Sequence, residues 1–213
     1  MERWRLEKLE LIKQYHIKNQ SAVKGGVVFT GSSLMEMFPI EQWVAELPEP
    51  RPLVYNRGVG GYKIDELLPI IDICVTELAP EKVFINIGTN DLSDGRIPIP
   101  QIIDNYDKIL REIENALPEA VIYLMAYYPV NFQAASDEMK ECLRIRTNEK
   151  INAANAEVEK LAKRHGQRYI DINANLKDSQ GRLKAEYTIE GMHINPEGYR
   201  AIFDDLMRYV TEK

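Results

Sequence analysis

Val27-Val28-Phe29-Thr30-Gly31-Ser32-Ser33-Leu34 opens on β-branched and aromatic residues and ends on a glycine followed by two hydroxyls. Its first half, 27–30, has the composition of a strand covered on both faces. Glycine permits the tight turn by which a chain leaves a sheet, so the hydroxyls stand where a strand gives way to a helix. Four similar runs follow, Leu53 to Asn56, Val83 to Ile87, Val121 to Met125 and Tyr169 to Ile172. Between them the pattern predicts helices near 40–47, 63–78, 99–116, 137–165 and 196–212, each able to carry a crossover between parallel strands. The expected fold class is α/β, a three-layer α/β/α sandwich with a central five-stranded parallel sheet of flavodoxin-like type.

Ahead of the first strand, Leu6, Leu9, Ile12, Lys13 and His16 recur at helical spacing within residues 3–20, which predicts an amphipathic helix packed across the outside. Residues 1–22 are thus expected as an N-terminal helical extension and 23–213 as a single domain, the length being enough for one substantial core. Trp4, Leu6 and Leu9 leave two placements open for that helix: on its own domain, or against a twofold-related copy in a homodimer, the modest preference.

Hydrophobic residues at 45% and charged residues at 28% are the balance of a folded globular chain and exclude a disordered one. The net charge of -6 comes from interspersed acids and bases without a basic stripe, so nucleic acid is not an expected partner. Cys74 and Cys142, in helix-like amphipathic stretches, read as free thiols. The first 18 residues hold no uninterrupted apolar segment of signal or membrane-spanning length, and the expected location is cytoplasmic with no membrane span.

The unusual loops fall on one edge. Gly31-Ser32-Ser33 follows the first strand, Asn56-Arg57-Gly58-Val59-Gly60-Gly61 the second, Gly88-Thr89-Asn90-Asp91 the third, and Glu190-Gly191-Met192-His193 comes after the fifth. In open parallel sheets the carboxyl ends of the strands are where ligands bind. Of three histidines, His16 lies in the leading helix and His165 at a helix end before Gly166, both structurally accounted for. That leaves His193, in a loop before a helix, as the candidate base.

A serine hydroxyl needs a base to become a nucleophile, and the base works best when a carboxylate fixes its tautomer. Glu190, three residues before His193, is placed to do so in a tight turn. A serine after a strand is otherwise a helix N-cap, and Ser32 and Ser33 are able to divide the two tasks. The glycines after the second strand read either as a strand-to-helix turn or as the source of a backbone donor; they spell neither of the usual phosphate-loop spacings. Asn90 offers an amide donor for a developing oxyanion, while Asn90 or Asp91 is equally suited to cap its turn.

In this order the four segments resemble the blocks of the SGNH (GDSL-type) hydrolase family over nearly the whole chain after residue 25. The resemblance implies Ser33 as nucleophile, with Ser32 where aspartate is more usual, and His193 as base. It implies an oxyanion hole made of the Ser33 and Gly61 backbone N–H groups and the Asn90 side chain. The last block normally reads Asp-x-x-His; here glutamate stands at 190, one methylene longer, so its carboxylate must fold back or approach His193 from another angle. A likeness to the platelet-activating-factor acetylhydrolase-like branch implies a serine ester hydrolase acting on short acyl, foremost acetyl, esters with a small-molecule, lipid or carbohydrate alcohol.

The resemblance implies no cofactor, and the histidines form no metal-ligand cluster. Met35, Phe38, Tyr62, Tyr127, Tyr128 and Met192 flank the loops as candidates for an apolar substrate wall or for core, with Tyr62, Tyr128 and Met192 taken as substrate-binding. Two rivals stand beside the esterase: a non-catalytic binding protein that keeps the fold, for which the glutamate speaks, and a flavodoxin-like nucleotide binder, which lacks its phosphate cradle.

Overall fold

The computed structural model describes residues 3–212. Its strands are β1 (Val27–Gly31), β2 (Val54–Gly58), β3 (Lys82–Asn86), β4 (Val121–Met125) and β5 (Arg168–Ile170). Its helices are α1 (Arg3–Asn19), α2 (Ser33–Glu36), α3 (Ile40–Ala45), α4 (Ile64–Leu67), α5 (Ile71–Cys74), α6 (Thr89–Leu92), α7 (Ile99–Ala116), α8 (Asp137–Leu143), α9 (Asn148–Arg164) and α10 (Pro196–Thr211). All pairings are parallel and the strand order is β2-β1-β3-β4-β5. Winding therefore reverses between β1 and β3, the place where loops at the carboxyl edge diverge and leave a crevice.

Side chains alternate along the strands. Val28, Val83, Ile85, Ile122 and Leu124 enter a core completed by α1, α4, α5, α7 and α9. Val27, Phe29, Phe84, Tyr123 and Met125 enter a second one against α2, α3 and α10. With helices on both faces, both sets must be apolar, which is why the strands read as continuous apolar runs. The second core is ordered by rings: Phe29, Phe84 and Tyr123 stack across β1, β3 and β4 at 4.8 and 4.4 Å, and Phe38 stacks on Tyr199 at 4.6 Å. Tyr199, on α10, also donates its hydroxyl to the Leu34 carbonyl at 2.7 Å. The last helix is thereby tied to the turn that follows β1.

The expected three-layer sandwich is present, with strand bounds within two residues of those read from the sequence. Two helices differ. The span 63–78 is broken into α4, a 3-10 turn Leu68–Ile70, α5 and a 3-10 turn Thr76–Leu78, because Pro69 has no N–H to donate and its ring crowds the preceding turn. The span 137–165 is interrupted between α8 and α9, where Thr147 leaves the helical conformation and its hydroxyl accepts from Lys150 N at 3.2 Å.

The leading helix exists but presents another face. Leu6 and Leu9 are exposed while Ile12, Tyr15 and Asn19 are buried. Polar anchors select that face: Tyr15 Oη donates to Gly58 O at 2.9 Å, Asn19 Nδ2 to Ile73 O at 2.7 Å, and Asn19 Oδ1 accepts from the buried Arg57 at 3.0 Å. Cys74 and Cys142 are free thiols. Among the described residues no helix is long and apolar enough to cross a membrane.

Replacing Tyr199 by Phe removes the bond to Leu34 and leaves a buried carbonyl without its donor. Urea unfolding of Tyr199→Phe is expected to show a loss of about 1–2 kcal/mol; an unchanged midpoint would show that the bond contributes nothing to the tie.

Candidate active site

Gly31 closes β1 with φ +147°, and a Cβ on it would stand 2.1 Å from the Asn86 carbonyl of β3, so only glycine fits the turn. Ser32 then occupies the N-cap position of α2, without a side-chain cap bond. Ser33 begins the helix, and its Oγ lies 3.0 Å from His193 Nε2. The other ring nitrogen, Nδ1, lies 2.7 Å from Glu190 Oε1. A proton on Nδ1 held by the carboxylate leaves the Nε2 lone pair facing the serine hydroxyl. Glu190 accommodates its extra methylene by folding back, so that the same oxygen also accepts from His193 N at 3.2 Å.

The turn carrying this pair is held from several sides. Gly191 has φ +96°, and a Cβ there would stand 2.7 Å from both Ala135 and Asn131 O. Its carbonyl accepts from Asn131 N at 2.7 Å, and its N–H donates to Thr188 Oγ1 at 2.8 Å. The His193 carbonyl accepts from Ile189 N and from Thr188 Oγ1, each at 2.9 Å. Two residues on, Asn195 caps α10 by accepting from Gly198 N at 2.9 Å, with Pro196 at the first helical position.

The glycine-rich segment after β2 is stitched to the first by Val59 N donating to Gly31 O at 2.8 Å. It is also held by Glu36, whose carboxylate accepts from Gly60 N and pairs with Lys8 of α1 at 2.6 Å. The third segment joins the second where Asn90 Nδ2 donates to Tyr62 O at 2.9 Å. Among the described residues, the N–H groups of Ser33 and Gly61 donate to no other group, and Asn90 Nδ2 commits one of its two hydrogens.

Asp91, next to Asn90, is buried and accepts from Ile64 N at the start of α4 at 3.3 Å. Burial pushes its pKa up to about 6, helped by Asp65 and opposed by the Ile64 bond and Lys63. His16 and His165 stand elsewhere. His16 Nδ1 meets Glu77 at 2.6 Å, and His165 is held between Asp107 and Glu114 at 2.9 Å each. Among the described residues no three His, Cys, Asp or Glu side chains gather as metal ligands.

One contact is invisible in the sequence pattern. Arg146, in the break between α8 and α9, is buried and donates to Asn90 Oδ1 at 2.8 Å, Ser93 Oγ at 2.7 Å and Met192 Sδ at 2.7 Å. Read inside one long helix, it had no reason to stand out; Thr147 as an N-cap was the available signal.

The substrate-wall candidates divide. Met35, Phe38, Tyr127, Tyr128 and Met192 are buried, and Tyr128, 2% exposed, packs in the second core. Met192 is likewise core, its sulfur turned to Arg146. Tyr62 is half-buried and lines a cavity of about 240 Å³ with Trp4, Arg5, Leu9 and Glu66. Trp4 Cζ3 lies 3.8 Å from where a Cβ on Gly61 would stand, so this cavity opens beside the second segment.

Comparison with known proteins gives the family. The model of the GDSL-like Lipase/Acylhydrolase family matches residues 31–201. A GDSL esterase/lipase of Arabidopsis thaliana is 24% identical over 207 residues, covering 87% of this chain and 85% of its own. A solved structure from Streptococcus pneumoniae, provisionally assigned as a platelet activating factor, is 30% identical with TM-score 0.84, covering 96% of this chain and 92% of that one. A catalytic serine-to-alanine mutant of an acetylxylan esterase from Geobacillus stearothermophilus has the same fold, at 15% identity and TM-score 0.67, covering 90% and 97%. The class is that of the carboxylic ester hydrolases built on an α/β/α sandwich. The chain belongs to the GDSL-like lipase/acylhydrolase family.

Asp91 carries a pH signature. Because its folded pKa, about 6, lies above the ordinary 3.8, its contribution favours the folded state most below the lower value and is lost as pH rises through the higher one. Asp91→Asn, neutral at every pH, is expected to raise Tm relative to wild type more at pH 7.5 than at pH 4. An equal shift at both would show that Asp91 is not held near 6.

Proposed function

We propose that this esterase cleaves short acyl esters, acetyl foremost, through an acyl-serine formed on Ser33. His193 Nε2 takes the hydroxyl proton as Oγ attacks the carbonyl carbon, and returns it to the departing alcohol. Water, deprotonated by the same nitrogen, then attacks the acyl-serine, releasing the acid and restoring Ser33. Glu190 holds the ring in the required tautomer and steadies the imidazolium. In both half-reactions the carbonyl oxygen gains negative charge, which the N–H groups of Ser33 and Gly61 and the Asn90 amide are proposed to receive.

The observation that carries this reading is the relay Glu190–His193–Ser33, at 2.7 and 3.0 Å, together with Ser33 and Gly61 N–H groups that have no other partner among the described residues and an Asn90 amide with one hydrogen still uncommitted. The short acyl preference is supported by the burial of five of the six wall candidates, which takes those side chains out of any lining for a long chain. The acetylxylan esterase with the same fold is an enzyme of acetyl esters. Tyr62, beside the Trp4 cavity, is proposed to face the alcohol half.

Hydrolysis of p-nitrophenyl esters from acetate to octanoate tests both parts. Ser33→Ala and His193→Ala are expected to lower kcat/KM by about a thousandfold or more, and Glu190→Gln by about a hundredfold or more. Turnover is expected to fall with chain length. Full activity of Ser33→Ala would end the serine mechanism; a preference for octanoate would end the short acyl assignment.

A further inference from the structure

Arg146 is 3% exposed, yet its guanidinium meets neutral atoms only: Asn90 Oδ1, Ser93 Oγ and Met192 Sδ. Burying a cation without a paired anion is costly. Cys142 and Asp91 act on it through space, neither with a direct bond to the guanidinium. An ordinary structural arginine at this position would be expected to have a carboxylate. What Arg146 has instead is a set of contacts at the carboxyl edge, on α6 and its end, which carry Asn90 and Ser93, and on the turn that carries His193.

We infer that Arg146 is a positioning residue for ester hydrolysis, fixing the Asn90 amide so that its nitrogen faces the reacting carbonyl and setting a positive charge behind it. The inference rests on the proposed oxyanion role of Asn90. An amide can present oxygen or nitrogen, and the choice is made by its partners. Arginine only donates, so it holds Oδ1; the Tyr62 carbonyl only accepts, so it holds one hydrogen of Nδ2. The second hydrogen of Nδ2 remains for the substrate oxygen. Nε, by donating to Ser93 Oγ, also grips the helix that carries Asn90, while Ser93 Oγ donates in turn to Thr89 O at 3.4 Å.

The timing of the charge decides what this does kinetically. An ester arrives neutral and its carbonyl oxygen becomes an anion only toward the tetrahedral intermediate. A buried positive charge behind the donor therefore acts more strongly on the transition state than on bound substrate, and its removal lowers kcat with little change in KM.

The test is steady-state hydrolysis of p-nitrophenyl acetate by Arg146→Met, Arg146→Lys and Asn90→Ala, and by each Arg146 variant combined with Asn90→Ala. Arg146→Met is expected to lower kcat by about tenfold or more, part of the ~10²–10³ lost with a whole oxyanion donor, while KM changes by less than about threefold. Arg146→Lys, charged but without the fork, is expected to recover part of that kcat. In the Asn90→Ala background the Arg146 replacements are expected to cost clearly less than they do alone, because the group they position is gone and only the field of the charge is left to lose.

Wild-type kcat in folded Arg146→Met, a rise in KM alone, or the full loss persisting on top of Asn90→Ala would overturn the inference. If Arg146→Met does not fold, as judged by near-ultraviolet circular dichroism, Arg146→Lys and its double variant decide by the same criterion. Asn90→Ala with undiminished kcat would overturn the oxyanion reading and this inference together. A slow Asn90→Ala beside an unaffected Arg146→Met would overturn this inference alone.

Discussion

The hydrogen bond between Ser33 Oγ and His193 Nε2 joins residues 160 positions apart at 3.0 Å, and much of the fold serves to hold that distance. Ser33 is placed by a strand in the interior of the sheet and by the close approach of Gly31 to Asn86. His193 is placed by a turn with bonds from Thr188, Ile189 and Asn131, and by the capped start of α10. A second bond runs beside the first: Tyr199, six residues after the histidine, donates to Leu34, the residue after the serine. Two ties between the same two segments resist sliding as well as separation, and the stacked rings of the second core hold the base of both. Such bracing matters because misplacement by about 1 Å is enough to cost a reaction on the order of a hundredfold.

Electrostatics at the carboxyl edge follow from the same geometry. The glutamate in place of the usual aspartate is reconciled with its turn by left-handed Gly191 and by an oxygen shared between the ring and backbone nitrogens of His193. At the same edge lie a buried carboxyl whose pKa is raised, next to Asn90, and a buried guanidinium bonded only to neutral partners. Neither helps the folded chain as a hydrophobic residue of similar volume would. A buried guanidinium kept at such a cost against Asn90 fits a site proposed to develop negative charge during the reaction.

Much of this was legible in the sequence because it is written in short, local signals. Strands covered on both faces are continuous apolar runs, and the loops at their ends carry the glycines, the serine and the histidine at recognisable spacing. What escaped depends on polar contacts over distance. The leading helix turned Tyr15 and Asn19 inward because Gly58 and Ile73 offered carbonyls, so the exposed Leu6 and Leu9 misled a reading based on hydrophobicity. The break before Thr147 was overridden by the helical periodicity around it, and Arg146 was lost with it. Tyr128, just after β4, and Met192, inside the last site segment, face the cores, since a place along the chain does not fix the direction of a side chain.

The most direct test of the central claim is covalent labelling with an alkyl fluorophosphonate followed by peptide mass spectrometry, comparing wild type with His193→Ala. The expected result is one adduct per chain on Ser33, formed far more slowly without His193. Ester hydrolysis that continues after Ser33 is fully labelled, or an adduct on another residue that stops turnover, would contradict Ser33 as the nucleophile.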